Sequence, residues 1–146
     1  MDERLDRLAF DFFKLFAQYE SYLKEHGYFQ VTRNSKINVD WDRFVNENIG
    51  SDFLGLLGEK CGSAVYILED PPKKQVVNGS NQIVWGDVPN REQSVQVLFG
   101  HICRVRNNLY HGAKFNGSWF DPHRSEQLLK HSLVILNHFK RLANVH

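Results

Sequence analysis

Apolar side chains recur at three- and four-residue steps over the first stretch of the chain: Leu5, Leu8, Phe12, Leu15, Phe16, Tyr19 and Leu23. That period predicts a helix, with Asp2 or Asp6 near its start and Gly27 just past its end. Its many aromatics, Phe10, Phe12, Phe13, Phe16, Tyr19 and Tyr22, read as core rather than as a ligand box, because bulky side chains at helical spacing are what a buried helix face needs.

The period lapses over residues 28–39, which read as a loop. "DWDRFVNENI" then opens on an aspartate suited to N-capping, and "SDFLGLLGEK" opens on Ser51 with Phe53, Leu54, Leu56 and Leu57 behind it, so two short helices are expected. From Gly62 to Pro89 the texture changes: a proline pair, β-branched residues and an Asn-Gly turn signal between "KQVV" and "QIVW" predict a loop or a small β-hairpin.

The helical pattern returns in "NREQSVQVLFGHICRVRNNLYHG", through Val97, Leu98, Ile102, Val105 and Leu109, with Gly112 placed as a C-cap. A turn in "KFNGSWFDP" leads to a last helix starting near Pro122 that buries Leu128, Leu129, Leu133, Leu136 and Phe139. The sum is an all-α bundle of about four to five helices, with an insertion around residues 62–89.

Composition narrows this picture only a little. With 146 residues, 42% hydrophobic and 13% aromatic, the chain suits one domain with a real core. Eighteen Lys and Arg against seventeen Asp and Glu leave a net charge of +1, so any nucleic-acid site must be local. No apolar run approaches the roughly 20 residues of a membrane span. The acidic start "MDERLDRLAF" and the two cysteines, Cys61 and Cys103, in no metal-ligand spacing, point to the cytoplasm and reduced thiols.

The stretch "CRVRNNLYHGAKF" changes it more. On a helical wheel Gly100, Arg104 and Asn107 fall within roughly 40° of His111, away from Leu98, Val105 and Leu109. Arg106 lies roughly 140° from His111, on a face with Phe99, Cys103 and Tyr110. The two converge only by arginine reach, a distorted helix end or a second copy of the helix. An imidazole can act as acid or base and a guanidinium can hold a phosphate, which is the repertoire of RNA cleavage by a 2′-hydroxyl.

"RNNLYH", Arg106 through His111, has the form Arg, polar residue, three residues, His. Followed by Gly112, it resembles the signature of the HEPN superfamily, compact helical bundles that carry this motif at the end of their penultimate major helix. The resemblance implies a HEPN-like domain over residues 1–146 that acts as a metal-independent endoribonuclease without a cofactor. Such an enzyme leaves a 2′,3′-cyclic phosphate and a 5′-hydroxyl, at a site shared by the two subunits of a homodimer.

By the same resemblance Arg106 engages the scissile phosphate, His111 acts on the nucleophile or leaving group, and Asn107 orients the site. Arg104 is the second candidate for the catalytic arginine, and Arg104, Asn108, Tyr110 and Lys114 are expected to contact RNA. Toxin–antitoxin, stress or phage-defence roles follow from the family, with an antitoxin or regulatory partner. Ala113 stands where toxins modified by a partner nucleotidyltransferase carry a tyrosine, which argues against control by that route.

Three other readings compete. The polar residues could serve the helix end alone, since cations there complement the macrodipole. The fold could be a dimerisation or nucleotide- or RNA-binding module without cleavage. A metal site is disfavoured, because no histidine pair stands four apart with a carboxylate in a ligand pattern, and His131 and His138 are seven apart. Neither Cys61 nor any serine sits in a nucleophile context. Lys73 and Lys74 could help guide an RNA backbone.

Overall fold

The computed structural model describes residues 3–87, 92–111, 114–115, 118–119 and 121–146; the side chains at 75, 110, 111, 114, 115, 118 and 119 lie outside that description. Helix α1 (Glu3–Glu25) buries Leu5, Phe12, Leu15, Phe16, Tyr19 and Leu23, the face its period announces. It stops where Gly27 takes a left-handed φ of 81°, a conformation that costs glycine nothing.

The expected loop at 28–39 is instead an antiparallel hairpin, β1 (Phe29–Val31) with β2 (Ile37–Val39), in which Phe29 faces Val39 and Val31 faces Ile37. Strands of three residues are too short for alternation to show, and Val31 and Ile37 are both exposed. Helix α2 (Trp41–Asn48) follows, and its cap is as expected: the Asp40 carboxylate accepts from the Arg43 amide at 3.1 Å. Helix α3 (Phe53–Leu57) is preceded by Asp52 without a side-chain cap bond, one residue later than Ser51 suggests.

The segment 62–89 divides. Its first part is helical, not loop: α4 (Cys61–Glu69), reached through a 3-10 turn at Gly58–Lys60, buries Ala64, Ile67 and Leu68. Those positions are spaced i, i+3, i+4, and packing against the last helix outweighs the weak helix propensity of Gly62, Ser63 and Val65. The second part is the hairpin, β3 (Lys74–Val77) paired with β4 (Ile83–Gly86). Its turn does not place Gly79 at positive φ. Asn81 adopts φ 60°, and the Asn78 side chain accepts from the amides of Ser80 and Gln82, so a longer loop with one left-handed residue replaces a two-residue turn.

Helix α5 (Val95–His111) buries Val95, Leu98, Phe99, Ile102 and Val105. A two-residue ladder, β5 (Lys114–Phe115) with β6 (Ser118–Trp119), separates it from α6 (Pro122–Phe139). Asp121 caps α6 by accepting from the Arg124 amide, with Pro122 in the first turn. A 3-10 turn at Lys140–Ala143 ends the chain's regular structure.

Among the described residues six α-helices and three small hairpins thus stand where a bundle of about four to five helices with a loop or one small hairpin around residues 62–89 was expected. The molecule is mostly helical, with α1 packed on α6, α2 on α5, and α4 against both α5 and α6. One contiguous apolar cluster joins them. Its centre is aromatic: Trp41 lies 5.1 Å from Phe16 and 5.9 Å from Phe99, ring centre to ring centre, and Phe99 lies 6.3 Å from Phe139. Tyr19, wholly buried, donates its hydroxyl to the Leu136 carbonyl.

Between α4 and α6, His131 contacts the Ser63 hydroxyl through Nδ1 at 2.9 Å and packs its ring 4.4 Å from that of Tyr66. Burial, then the charge of Lys130, lowers its pKa below the ordinary 6.5. The unfolded chain therefore takes up this proton first, so the histidine's share of stability is complete above pH 6.5 and declines as pH falls below it. Urea unfolding at pH 7.5 and 5.5 should show a smaller loss on acidification for His131→Gln than for wild type. An identical pH dependence in both proteins refutes the assignment.

Candidate functional site

Helix α5 has two unlike sides. The side toward the bundle is closed by Leu98, Ile102 and Val105, whereas Gly100 and Asn107 are exposed. A side chain built at Gly100 meets nothing within 4 Å among the described residues, so this stripe of the helix opens directly to solvent. Asn107 lies on it, and the backbone of His111 continues the same helical row one turn on.

Arg106 occupies the half-buried flank next to α1. Its guanidinium carbon sits 6.0 Å from the centre of the Phe16 ring, within range of a cation–π contact. From there Nη1 donates to Oδ1 of Asn107 at 3.2 Å. Two residues whose Cα–Cβ directions diverge by about 100° are brought together by the length of the arginine stem. The guanidinium thus lies beside α1 at Phe16 and still reaches the edge of the open stripe.

The neighbouring charges follow from this placement. Burial raises the Cys103 thiol to about 12; Glu20 and Asp42 push in the same direction, and Arg106 opposes them. At neutral pH that thiol keeps its proton, so the only cysteine in the motif helix is no nucleophile. Arg104 is half-buried on the other flank of the stripe, and its Nε is withdrawn from solvent with no hydrogen-bond partner among the described residues.

Asn108 turns away from Asn107. Its Nδ2 donates to the Lys73 carbonyl at 2.7 Å, tying α5 to the start of the β3–β4 hairpin. The structure therefore brings Arg106 and Asn107 together, keeps Arg104 nearby on the helix, and sends Asn108 to a different surface. Tyr110 and His111 end α5 and Lys114 opens β5, but their side chains lie outside the described residues, as do Gly112 and Ala113. Lys73 and Lys74 are exposed at the foot of the hairpin.

On that different surface Asn108 borders a cavity of about 350 Å³ together with Trp85, Asp121, Arg124 and Ser125. None of these four was singled out by sequence reasoning. They come from β4 and the first turn of α6, and only the tertiary packing of both elements on α5 assembles them. The one signal available beforehand was the polar start of the last helix, "DPHRS", which reads equally well as an ordinary cap.

Compared with known protein families, with curated proteins and with solved structures, the chain gives no match. Among the described residues no group of three or more His, Cys, Asp or Glu side chains is placed to hold a metal ion, and no helix is long and apolar enough to cross a membrane.

Proposed function

We propose that the protein is a HEPN-type endoribonuclease that cuts RNA by attack of a 2′-hydroxyl on the adjacent phosphate, at a site shared between two copies of the chain. The observation that carries the reading is the Arg106–Asn107 pair. It stands at the edge of the open stripe of α5, with His111 as that helix's last residue. The sequence motif then coincides with the end of the penultimate long helix, and one further long helix follows.

The chemistry asks for three things. A base removes the proton of the 2′-hydroxyl, whose oxygen then bonds to phosphorus. The 5′-oxygen leaves and takes a proton, giving a 2′,3′-cyclic phosphate and a 5′-hydroxyl. His111 supplies the proton transfers. Arg106 holds the non-bridging phosphate oxygens and stabilises the charge that builds on them. Asn107 accepts from the guanidinium and so restrains its direction, which makes it a positioning residue. The stripe around Gly100 and Asn107 is the face against which a second copy would bring its own α5.

The test is to incubate the purified protein with total RNA in EDTA, alongside Arg106→Ala and His111→Ala. Cleavage by wild type alone, with cyclic phosphate ends, is the expected result. Activity abolished by EDTA, or retained by both variants, overturns the mechanism.

A further inference from the structure

The cavity beside Asn108 has a floor and a rim of opposite character. Val105 and Leu109 of α5 with Leu128 and Leu129 of α6 make the floor apolar, and the Trp85 indole forms part of the wall. Its volume of about 350 Å³ lies at the small end of the range for small-molecule sites, roughly 300–1,000 Å³. That suits a single flat heterocycle with its sugar better than a peptide or an extended chain.

The charges at the rim cancel rather than accumulate. Arg124 is tied to the wall: Nη1 pairs with the Asp70 carboxylate, and Nη2 donates to the carbonyls of Asp70 at 2.8 Å and Pro71 at 2.7 Å. It therefore pins the Asp70–Lys73 link as a wall, and its charge is met by the Asp70 carboxylate rather than offered to a phosphate. The remaining polar groups are chiefly acceptors. Asn108 uses Nδ2 on the Lys73 carbonyl, so its carboxamide oxygen remains. Asp121 uses one carboxylate oxygen to cap α6, at 3.2 Å from the Arg124 amide, so the other remains. The Ser125 hydroxyl has no hydrogen bond among the described residues.

An apolar floor, an aromatic wall and an acceptor-rich rim match a planar ring that carries an exocyclic amine. We infer that this cavity is a base-recognition pocket that takes one amino-bearing nucleobase, adenine, cytosine or guanine in preference to uracil, from the RNA strand. The inference rests on the ribonuclease reading for its connection to cleavage. Asn108 belongs both to the pocket and to the Arg106–His111 stretch, so a base seated there lies against the same helix that carries the motif, with Lys73 exposed at the mouth for the backbone.

The test separates pocket from catalysis by measuring binding with the full-length His111→Ala protein, in which cleavage is silenced. Calorimetric titration with adenosine, cytidine, guanosine and uridine 5′-monophosphates should show the uridine nucleotide about tenfold weaker than at least one of the others. The Trp85 indole resonance should shift on binding. Asn108→Ala should weaken binding about tenfold, and Ser125→Phe, which fills the space without removing a hydrogen bond seen among the described residues, should abolish it while melting stays cooperative.

A short RNA rich in the base of the tightest-binding mononucleotide should displace that nucleotide, and an oligouridine should not. Displacement by neither RNA assigns the pocket to free nucleotides and overturns the strand assignment. Equal binding of the uridine nucleotide, or an unmoved Trp85 resonance, overturns the pocket itself. Nucleotide binding by a wild-type protein that never cuts RNA supports the pocket and sinks the ribonuclease reading; unchanged cut-site preference in Ser125→Phe does the reverse.

Discussion

Replacing Trp41 with alanine is expected to remove about 3–5 kcal/mol of folding stability, the usual range for deleting a large buried aromatic. Trp41 is 7% exposed and is the meeting point of three helices. Its ring contacts Phe16 and Tyr19 of α1, Phe44 of α2 and Phe99 of α5, at centre distances of 5.1, 5.7, 6.4 and 5.9 Å. These ring neighbours are themselves large and stiff, ill suited to closing the cavity that alanine would leave. A domain of this kind is stable by only about 5–15 kcal/mol, so the variant keeps little margin.

The phenylalanine variant should behave differently. The Trp41 indole N–H is buried with no hydrogen-bond partner among the described residues, and such an orphan donor costs about 1–3 kcal/mol. Trp41→Phe gives up some packing but removes that penalty, so its loss should be clearly the smaller. Urea unfolding of the three proteins decides it. An alanine loss below about 1 kcal/mol means that the aromatic junction does not hold α1, α2 and α5 together.

The long helices were legible because each has a face. In α1 the spaced positions from Leu5 to Leu23 are buried almost without exception, Leu8 alone among them being only partly so; Phe10, read as core with the other aromatics, lies off that face and is 67% exposed. The cap at Asp40 was legible for an equally local reason, since a side chain that bonds its own helix's first turn needs no tertiary context; at α6 only Pro122 marked the start, and the Asp121 cap was not read. Where local and tertiary preferences diverge, the reading failed. Cys61–Glu69 carries two weak helix formers at its start, and the burial of Ala64, Ile67 and Leu68 against neighbouring helices is what makes it helical. The hairpin at 29–39 fails oppositely: with Val31 and Ile37 exposed it has no buried face to write a period into the chain.

The geometry of the candidate site was half legible. Spacing alone places Arg106 and His111 on different sides of one helix, but it cannot say where an arginine stem leads, and the turn of the guanidinium from Phe16 to Asn107 depends on α1 lying alongside. Asn108 shows the limit from the other direction. One position along from Asn107, it looks like part of the same polar cluster, yet about 100° of helix rotation delivers it to the Lys73 carbonyl and the cavity. A run of polar residues on a helix is a list of directions as much as a list of groups, and those directions acquire meaning only when neighbouring elements are in place.

Mixing two inactive variants is expected to restore cleavage, and this follows from the shared site proposed above. Arg106→Ala and His111→Ala should each lose at least about a hundredfold in rate, since each removes a group that acts on charge or protons in the transition state. In a symmetric dimer whose sites each combine Arg106 of one copy with His111 of the other, a mixed dimer keeps one intact site, because both defects fall in the other. Random exchange makes about half of the dimers mixed, so activity should recover to about a quarter of wild type. If each site drew both residues from one chain, every site in the mixture would carry a defect and nothing would recover. Exchange is verified by a size-tagged subunit on native gels, so an absence of recovery in demonstrably mixed dimers refutes the division of the site between copies. Arg104→Ala serves as the companion variant: a loss equal to that of Arg106→Ala, with no recovery when mixed with Arg106→Ala, would mean that both guanidiniums of a copy serve the same site.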